Sequence, residues 1–325
     1  MRPLWRQSPG IRSTLKIHLD TDFGGDPDDA CALAFLLASP AVELVGITTN
    51  LDHGGFRAAC VRYYLTLAGR SDIPVETGAG ITLTDFERYD STAADPRYWP
   101  RPVIPAPAAP GAGVDLLMNS IEEGATVVAI GAATNLALLE ILRPGSLSRA
   151  RVVFMGGWFP SPGAGLPNLG PEGDWNVQCD TRAASILARC ADVTLVPLSV
   201  TLKTWLRSSH LPRLRESGSV GELLARQSEL YARDKQKSKL ASANAGLPDD
   251  LINFHHDPLT AAVALAWAGA QVSEMRLTQV LDGDGTLRFE PSASGHRMRV
   301  VMDVNGDEFS ERWLITVTSA TSRNR

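Results

Sequence analysis

The sequence predicts an α/β fold: a single domain on a Rossmann-like, mostly parallel central sheet, with helices on both faces and the active site at the carboxyl ends of the strands. Three observations carry this. From Thr14 onward, short β-like apolar runs alternate with stretches long enough for helices, the pattern of a parallel sheet covered by helices. Polar, glycine-rich turns follow those runs, where ligands bind in such sheets. The 325 residues show no internal repeat and no linker-like stretch, so residues 14–325 read as one domain behind a basic, flexible leader over 1–13.

The first strand, Thr14 to Leu19, runs into Asp20-Thr21-Asp22-Phe23-Gly24-Gly25-Asp26-Pro27-Asp28-Asp29, and Ala30 to Ala38 then has the length and composition of a helix. The acids therefore sit in a strand-to-helix turn. Glycine permits the bend, Pro27 suits the first helical turn, and Asp28 and Asp29 suit the helix's positive end. Five carboxylates in ten residues repel one another unless a cation sits among them. A hard divalent ion held by oxygens answers that, Ca2+ tolerating more oxygens and looser geometry than Mg2+. The plainer alternative is a capped helix with a solvated acidic turn. The apolar flanks argue against it, because buried charges need partners.

A second strand, Val42 to Thr49, meets the polar stretch Asn50-Leu51-Asp52-His53-Gly54-Gly55; a helix over about 56–68 and a strand at 74–77 follow. Residues 81–113 are rich in proline and small residues, with Phe86, Tyr89, Tyr98 and Trp99 interspersed, and read as a long lid-like loop. Alternation resumes with a helix over 114–123, a strand at 126–130, the turn Gly131-Ala132-Ala133-Thr134-Asn135, a helix to about 142 and a strand at 151–155. A second long loop, 158–176, carries Asn168, Glu172, Asp174 and Asn176. A helix over 181–189, a strand at 193–198, a polar helix over 219–240 with Tyr231, and a helix opened by His256-Asp257-Pro258 come next. The tail reads as a β-hairpin about Asp282-Gly283-Asp284-Gly285 and a last short helix near 308–313.

The composition is that of an ordinary soluble protein, 44% hydrophobic and 21% charged. A net charge of −5 offers no general attraction to nucleic acid or anionic membrane. No apolar run reaches the roughly 20 residues of a membrane span. Cys31, Cys60, Cys179 and Cys190 lack metal-site spacing and fit reduced thiols in a cytoplasmic protein.

Taken in order, the acidic turn, Ile47-Thr48-Thr49, Gly131 to Ala137, Met155-Gly156-Gly157, Asp174-Trp175-Asn176-Val177 and His256-Asp257-Pro258 resemble the inosine–uridine-preferring nucleoside hydrolase family across nearly the whole chain. The resemblance implies Ca2+ and cleavage of the N-glycosidic bond of a ribonucleoside, giving ribose and free base. It implies metal ligation by Asp22, Asp29, Asp257 and the Thr134 carbonyl. Asp22 also acts as the base on the attacking water, and Asp28, Asn168, Asp174 and Asn176 hold ribose hydroxyls. His256 lies on the leaving-base side, and Asp20 supports the turn. A small-molecule nucleoside is the implied partner, and a homodimer or homotetramer the implied assembly. Trp158, following Gly157 at a strand end, is the foremost aromatic for stacking on the base.

Four departures bear on substrate recognition. Gly24-Gly25-Asp26-Pro27 replaces a shorter link. His53 aligns where the family has an Asn after the second strand, with Asn50 and Asp52 its competitors for the sugar. Asp174 stands where Glu is common. The His-Gly-x-x-Gly segment of pyrimidine-cleaving members is missing from 81–100. Two other readings therefore stand beside hydrolysis of a standard nucleoside: action on a modified or non-standard N-riboside, and nucleoside binding without turnover.

Overall fold

The computed structural model describes residues 14–86, 95–105 and 108–320. Its strands are β1 (Leu15–Thr21), β2 (Val42–Thr49), β3 (Val75–Thr77), β4 (Thr126–Ala129), β5 (Arg151–Met155), β6 (Asp192–Val196), β7 (Trp205–Arg207), β8 (Leu251–Phe254), β9 (Ala270–Leu281), β10 (Leu287–Pro291) and β11 (His296–Val304). Its helices are α1 (Asp28–Ala38), α2 (Phe56–Leu67), α3 (Ala112–Glu122), α4 (Thr134–Leu142), α5 (Trp175–Gln178), α6 (Thr181–Cys190), α7 (Leu198–Thr201), α8 (Leu211–Glu216), α9 (Ser219–Asp234), α10 (Lys237–Ala243), α11 (His256–Ala264) and α12 (Gly306–Ala320).

Nine strands form one sheet in the order β10-β9-β11-β6-β5-β4-β1-β2-β3. It is parallel from β3 to β11; β9 and β10 pair antiparallel at the far edge. Residues alternate between the two faces, as the period of a strand requires. Ile17, Leu19, Val128, Ile130, Val153 and Met155 join the core beneath α1, α11 and α12. Val127, Ala129, Val152 and Phe154 join the core beneath α3, α4 and α6. Both faces are thus covered, and every turn leaving a parallel strand emerges at one end of the sheet.

The expected 219–240 helix is two helices, broken at Gln236, whose φ of 50° is left-handed; a residue with a Cβ there ends the helical run. The last helix is longer than expected, reaching Ala320 because Phe309, Trp313, Leu314 and Val317 are buried against the main core. The described part of the 81–113 loop is tied down: Trp99 packs edge-on against Tyr63 with ring centroids 5.5 Å apart, and the Tyr98 hydroxyl and Arg97 both reach Asp234 on α9. Tyr89 and the leader over 1–13 lie outside the described residues. No helix among the described residues is long and apolar enough to cross a membrane. The four cysteines are unpaired, and burial pushes the Cys31 thiol well up.

Candidate active site

β1 delivers the acidic turn to the carboxyl end of the sheet. Gly24 takes a φ of 101°, a conformation glycine adopts without steric cost. Gly131 at the end of β4 leaves no room for more than a hydrogen: a Cβ there would come within 2.8 Å of the Asp22 backbone nitrogen. The turn, β4, β5, α7, α9 and the start of α11 enclose a cavity of about 400 Å3. Asp22, Asp26, Asp28, Asp29, Asp174 and Asp257 contribute carboxylates to its lining, and Ile130, Met155 and Leu198 contribute apolar surface.

Asp28 and Asp29 open α1, and Asp257 sits in the first turn of α11, the end at which a helix favours negative charge. The two helices pack side by side. All three acids are buried, and each offers an oxygen within 4.8 Å of the others. Burial first, and the neighbouring carboxylates next, hold all three well above the usual carboxylate range. Buried charges so arranged are stable only with a counter-ion or with protons in its place. An oxygen-only donor set, shared by elements from opposite ends of the chain, fits a hard divalent cation.

Asp22 lies beside this trio, half-buried, and accepts from the Trp175 indole nitrogen at 3.2 Å. Burial raises its pKa, while the Arg57 charge draws it down. Asp174 accepts from the backbone N–H groups of Gly157 and Val177, capping α5; burial raises its carboxyl to about 6. The Asn176 amide donates to the Ile130 and Met155 carbonyls, both at 3.1 Å, so its oxygen end is left for the cavity. His256 stacks at 5.2 Å on Phe254, and its Nδ1 lies 2.6 Å from the Thr201 hydroxyl. That hydroxyl donates its one hydrogen to the Leu198 carbonyl, so Nδ1 carries the proton and Nε2 is the acceptor. Burial lowers the His256 pKa to about 4. At neutral pH this ring is uncharged, suited to orient or relay rather than to give up a proton outright.

Of the residues singled out in the sequence, Asp22, Asp28, Asp29, Asp174, Asn176, His256 and Asp257 meet at the cavity. Four do not line it. Thr134 is buried at the start of α4 with its hydroxyl on Asp180 at 2.7 Å. His53 and Asn168 are exposed on their loops. Trp158 faces a second cavity of about 610 Å3, walled also by Phe159 and Phe289. The positive φ of Gly157, 98°, turns the chain at the end of β5, and Trp158 follows it away from the site. Trp175 and Tyr231 supply the aromatic surface instead. Arg57 and Lys235 also line the cavity and were not singled out. The only signal for Arg57 was an arginine at the second position of an otherwise apolar helix start.

The chain matches the family model described as "Inosine-uridine preferring nucleoside hydrolase" over residues 17–311. A pyrimidine-specific ribonucleoside hydrolase, RihA, of Salmonella paratyphi C (strain RKS4594) is 31% identical over 259 residues, 76% of this chain and 78% of that protein. Among solved structures, a plant nucleoside hydrolase, PpNRh1, superposes with a TM-score of 0.78 at 23% identity, covering 94% of this chain and 99% of its own. A purine-preferring ribonucleoside hydrolase from Gardnerella vaginalis superposes with the same TM-score at 22% identity, covering 95% and 99%.

Proposed function

The chain belongs to the inosine-uridine preferring nucleoside hydrolase family, a family of N-glycosyl hydrolases, and from that premise we propose that it is a Ca2+-dependent ribonucleoside hydrolase whose active site is the acidic cavity at the carboxyl end of the sheet. The observation that carries the proposal is the meeting of Asp28 and Asp29 with Asp257, acids from opposite ends of the chain, in one buried cluster beside Asp22.

Asp22, Asp29 and Asp257, with Asp28 adjoining them, would hold the ion, and the Thr134 carbonyl is the further donor that the family resemblance supplies. A bound ion would supply orientation and acidification of the attacking water. Asp22 takes the water's proton, its carboxylate steadied by the Trp175 N–H. Asp28, Asp174 and Asn176 accept from ribose hydroxyls. Breaking the bond builds positive charge on the sugar, and a cavity lined by carboxylates favours that charge. Apolar Met155, Ile130 and Leu198 keep competing water off the sugar face. On the leaving side, Trp175, Tyr231 and neutral His256 offer aromatic surface and one acceptor nitrogen. A modified N-riboside is the second reading, favoured by Lys235, a cation at the cavity lining that a neutral standard base does not call for.

Base release from inosine, uridine, adenosine and cytidine, each with calcium and with a chelator, tests the proposal. Release from at least one of them, lost on chelation and in Asp22→Ala, supports it. Tight nucleoside binding with no release at any pH replaces it with a binding function.

A further inference from the structure

Residues two apart on an unbroken helix do not face each other, yet Lys235 and Lys237 converge on one ring. The break between α9 and α10, at the left-handed Gln236, lies between them. Their Nζ atoms stand 5.8 and 5.2 Å from the ring centroid of Tyr231, which lines the active-site cavity, as does Lys235 itself. Lys237 is only 8% exposed. Its Nζ also lies 4.9 Å from the centroid of Phe254, the ring on which His256 stacks.

Two ammonium groups on one ring repel, and burying one of them costs free energy unless it is paired. Burial lowers the Lys237 pKa, with Lys235 adding to the effect and Asp26 and Asp28 opposing it. Among the described residues no carboxylate lies within 4.0 Å of either Nζ; ring faces are what the two groups meet instead. Asp234, beside Lys235 in sequence, is taken by Arg97 and the Tyr98 hydroxyl. Arg57, the other cation at the cavity lining, acts on Asp22 and Asp29. With Asp28, Asp29 and Asp257 committed to the ion, Asp26 is left facing two lysines, and it already accepts from the Asn253 amide and the Asp28 backbone N–H. The Tyr231 wall of the cavity therefore carries a spare positive charge.

We infer that Lys235 and Lys237 form a cationic subsite that selects N-ribosides carrying a negatively charged group, a carboxylate on the leaving base or a phosphate on the sugar. This rests on the hydrolase reading and deepens it, naming the class of N-riboside. Lys235 meets the anion at the cavity lining. Lys237, packed on Tyr231 and Phe254, adds a charge that burial shields from salt. The neutral base of a standard nucleoside offers carbonyl and ring-nitrogen acceptors, which leave two ammonium groups uncompensated; a carboxylate or phosphate compensates them and makes the stronger, charge-assisted hydrogen bond. Tyr231, between the two lysines, suits a flat base, so a carboxylate on the base is the first source to test.

The test uses benzamide riboside, its counterpart with a carboxylate in place of the amide, and its 5′-phosphate. All three have a carbon–carbon glycosidic bond that hydrolysis does not break, so binding is read apart from turnover. Calorimetry on calcium-supplied wild type, Lys235→Met and Lys237→Met is run beside base release from uridine and nicotinate riboside and thermal melting of each variant. Wild type should bind an anionic form roughly tenfold or more tighter than the neutral amide, the factor for a hydrogen bond to a charged group. Lys235 is exposed, so Lys235→Met removes its charge without opening the core; it should lose most of that factor, and raised salt should shrink it. A gain on the carboxylate puts the anion on the base and a gain on the phosphate puts it on the sugar; either supports the subsite. Equal binding of all three, an anion preference that survives Lys235→Met, or no binding by folded wild type overturns it. A lysine-dependent anion preference with no base release from either riboside sinks the hydrolase reading and leaves the subsite standing, whereas base release without the preference does the reverse.

Discussion

Asp20 and Asp29 leave the same strand-and-turn segment, both are buried, and burial raises both carboxyls, yet their surroundings are opposite. Asp20, on the face of β1 toward α3 and α4, is surrounded by donors: the Thr48 hydroxyl, the Asn50 amide and the Asn135 amide. Thr48 is itself 2.9 Å from Nε2 of His18, whose Nδ1 is 2.8 Å from Ser120. The Asp20 carboxyl lies at about 6. Asp29, on the cavity side, accepts from one donor, the Thr21 hydroxyl, and faces Asp22, Asp26 and Asp257. A carboxylate with its hydrogen bonds made is part of the scaffold; one facing its own kind awaits a ligand. Sequence proximity does not separate the two cases, whereas partner count does.

The sharpest way to break this contrast is substitution within the two clusters. Asp257→Ala should abolish calcium-dependent base release, a loss larger than the roughly 10²–10⁴-fold expected for Asp22→Ala from loss of a general base; initial rates at saturating substrate check both. Ion removal comes next. Adding calcium at about 100 times its dissociation constant should raise wild-type stability by about 2.7 kcal/mol, read by thermal melting. Asp257→Ala should lose most of that rise, and Asp20→Asn should keep it.

Asp20→Asn and Thr48→Val should instead lower stability by about 1–3 kcal/mol, the cost of leaving buried polar groups unsatisfied, with the calcium effect intact in denaturant melts. Without calcium, pH should also distinguish the clusters. A carboxyl raised in the folded state holds its proton more tightly folded than unfolded, so stability grows as pH falls from neutral toward the unfolded value of about 4. Asp28, Asp29 and Asp257 all push this way, and calcium should flatten or reverse the slope by competing with protons. An ion-free protein that weakens between about pH 7 and pH 5 would contradict the cluster's electrostatics. The smallest effect is Trp175→Phe, which removes one exposed donor to Asp22 and should cost less than about tenfold in rate, a net hydrogen bond of about 0.5–1.5 kcal/mol.

Much of this architecture was legible in the sequence. Short apolar runs and helix-length runs set the alternation, and the Asp22–Asp29 turn could be placed between β1 and α1 from its neighbours alone. Which aromatics, and which residue of the segment after β2, reach the cavity was not. The sequence favours Trp158, yet the φ of Gly157 and the cap that Asp174 places on α5 bring Trp175 to the cavity instead. Likewise His53 and Arg57 lie in one short segment, and the turn at Gly54-Gly55 decides which enters.

The local elements and the acidic turn follow from residue order alone, because apolar patterning, glycine and helix-start chemistry act over a few residues. Long-range packing brings Asp257 to Asp28 and Asp29, turns the Thr134 hydroxyl onto Asp180, and puts Arg57 rather than His53 at the cavity lining. Those outcomes depend on how α11 packs on α1 and on the direction each side chain leaves its turn. Such long-range packing and loop dihedrals are fixed by the whole core at once, not by the residues that end up together.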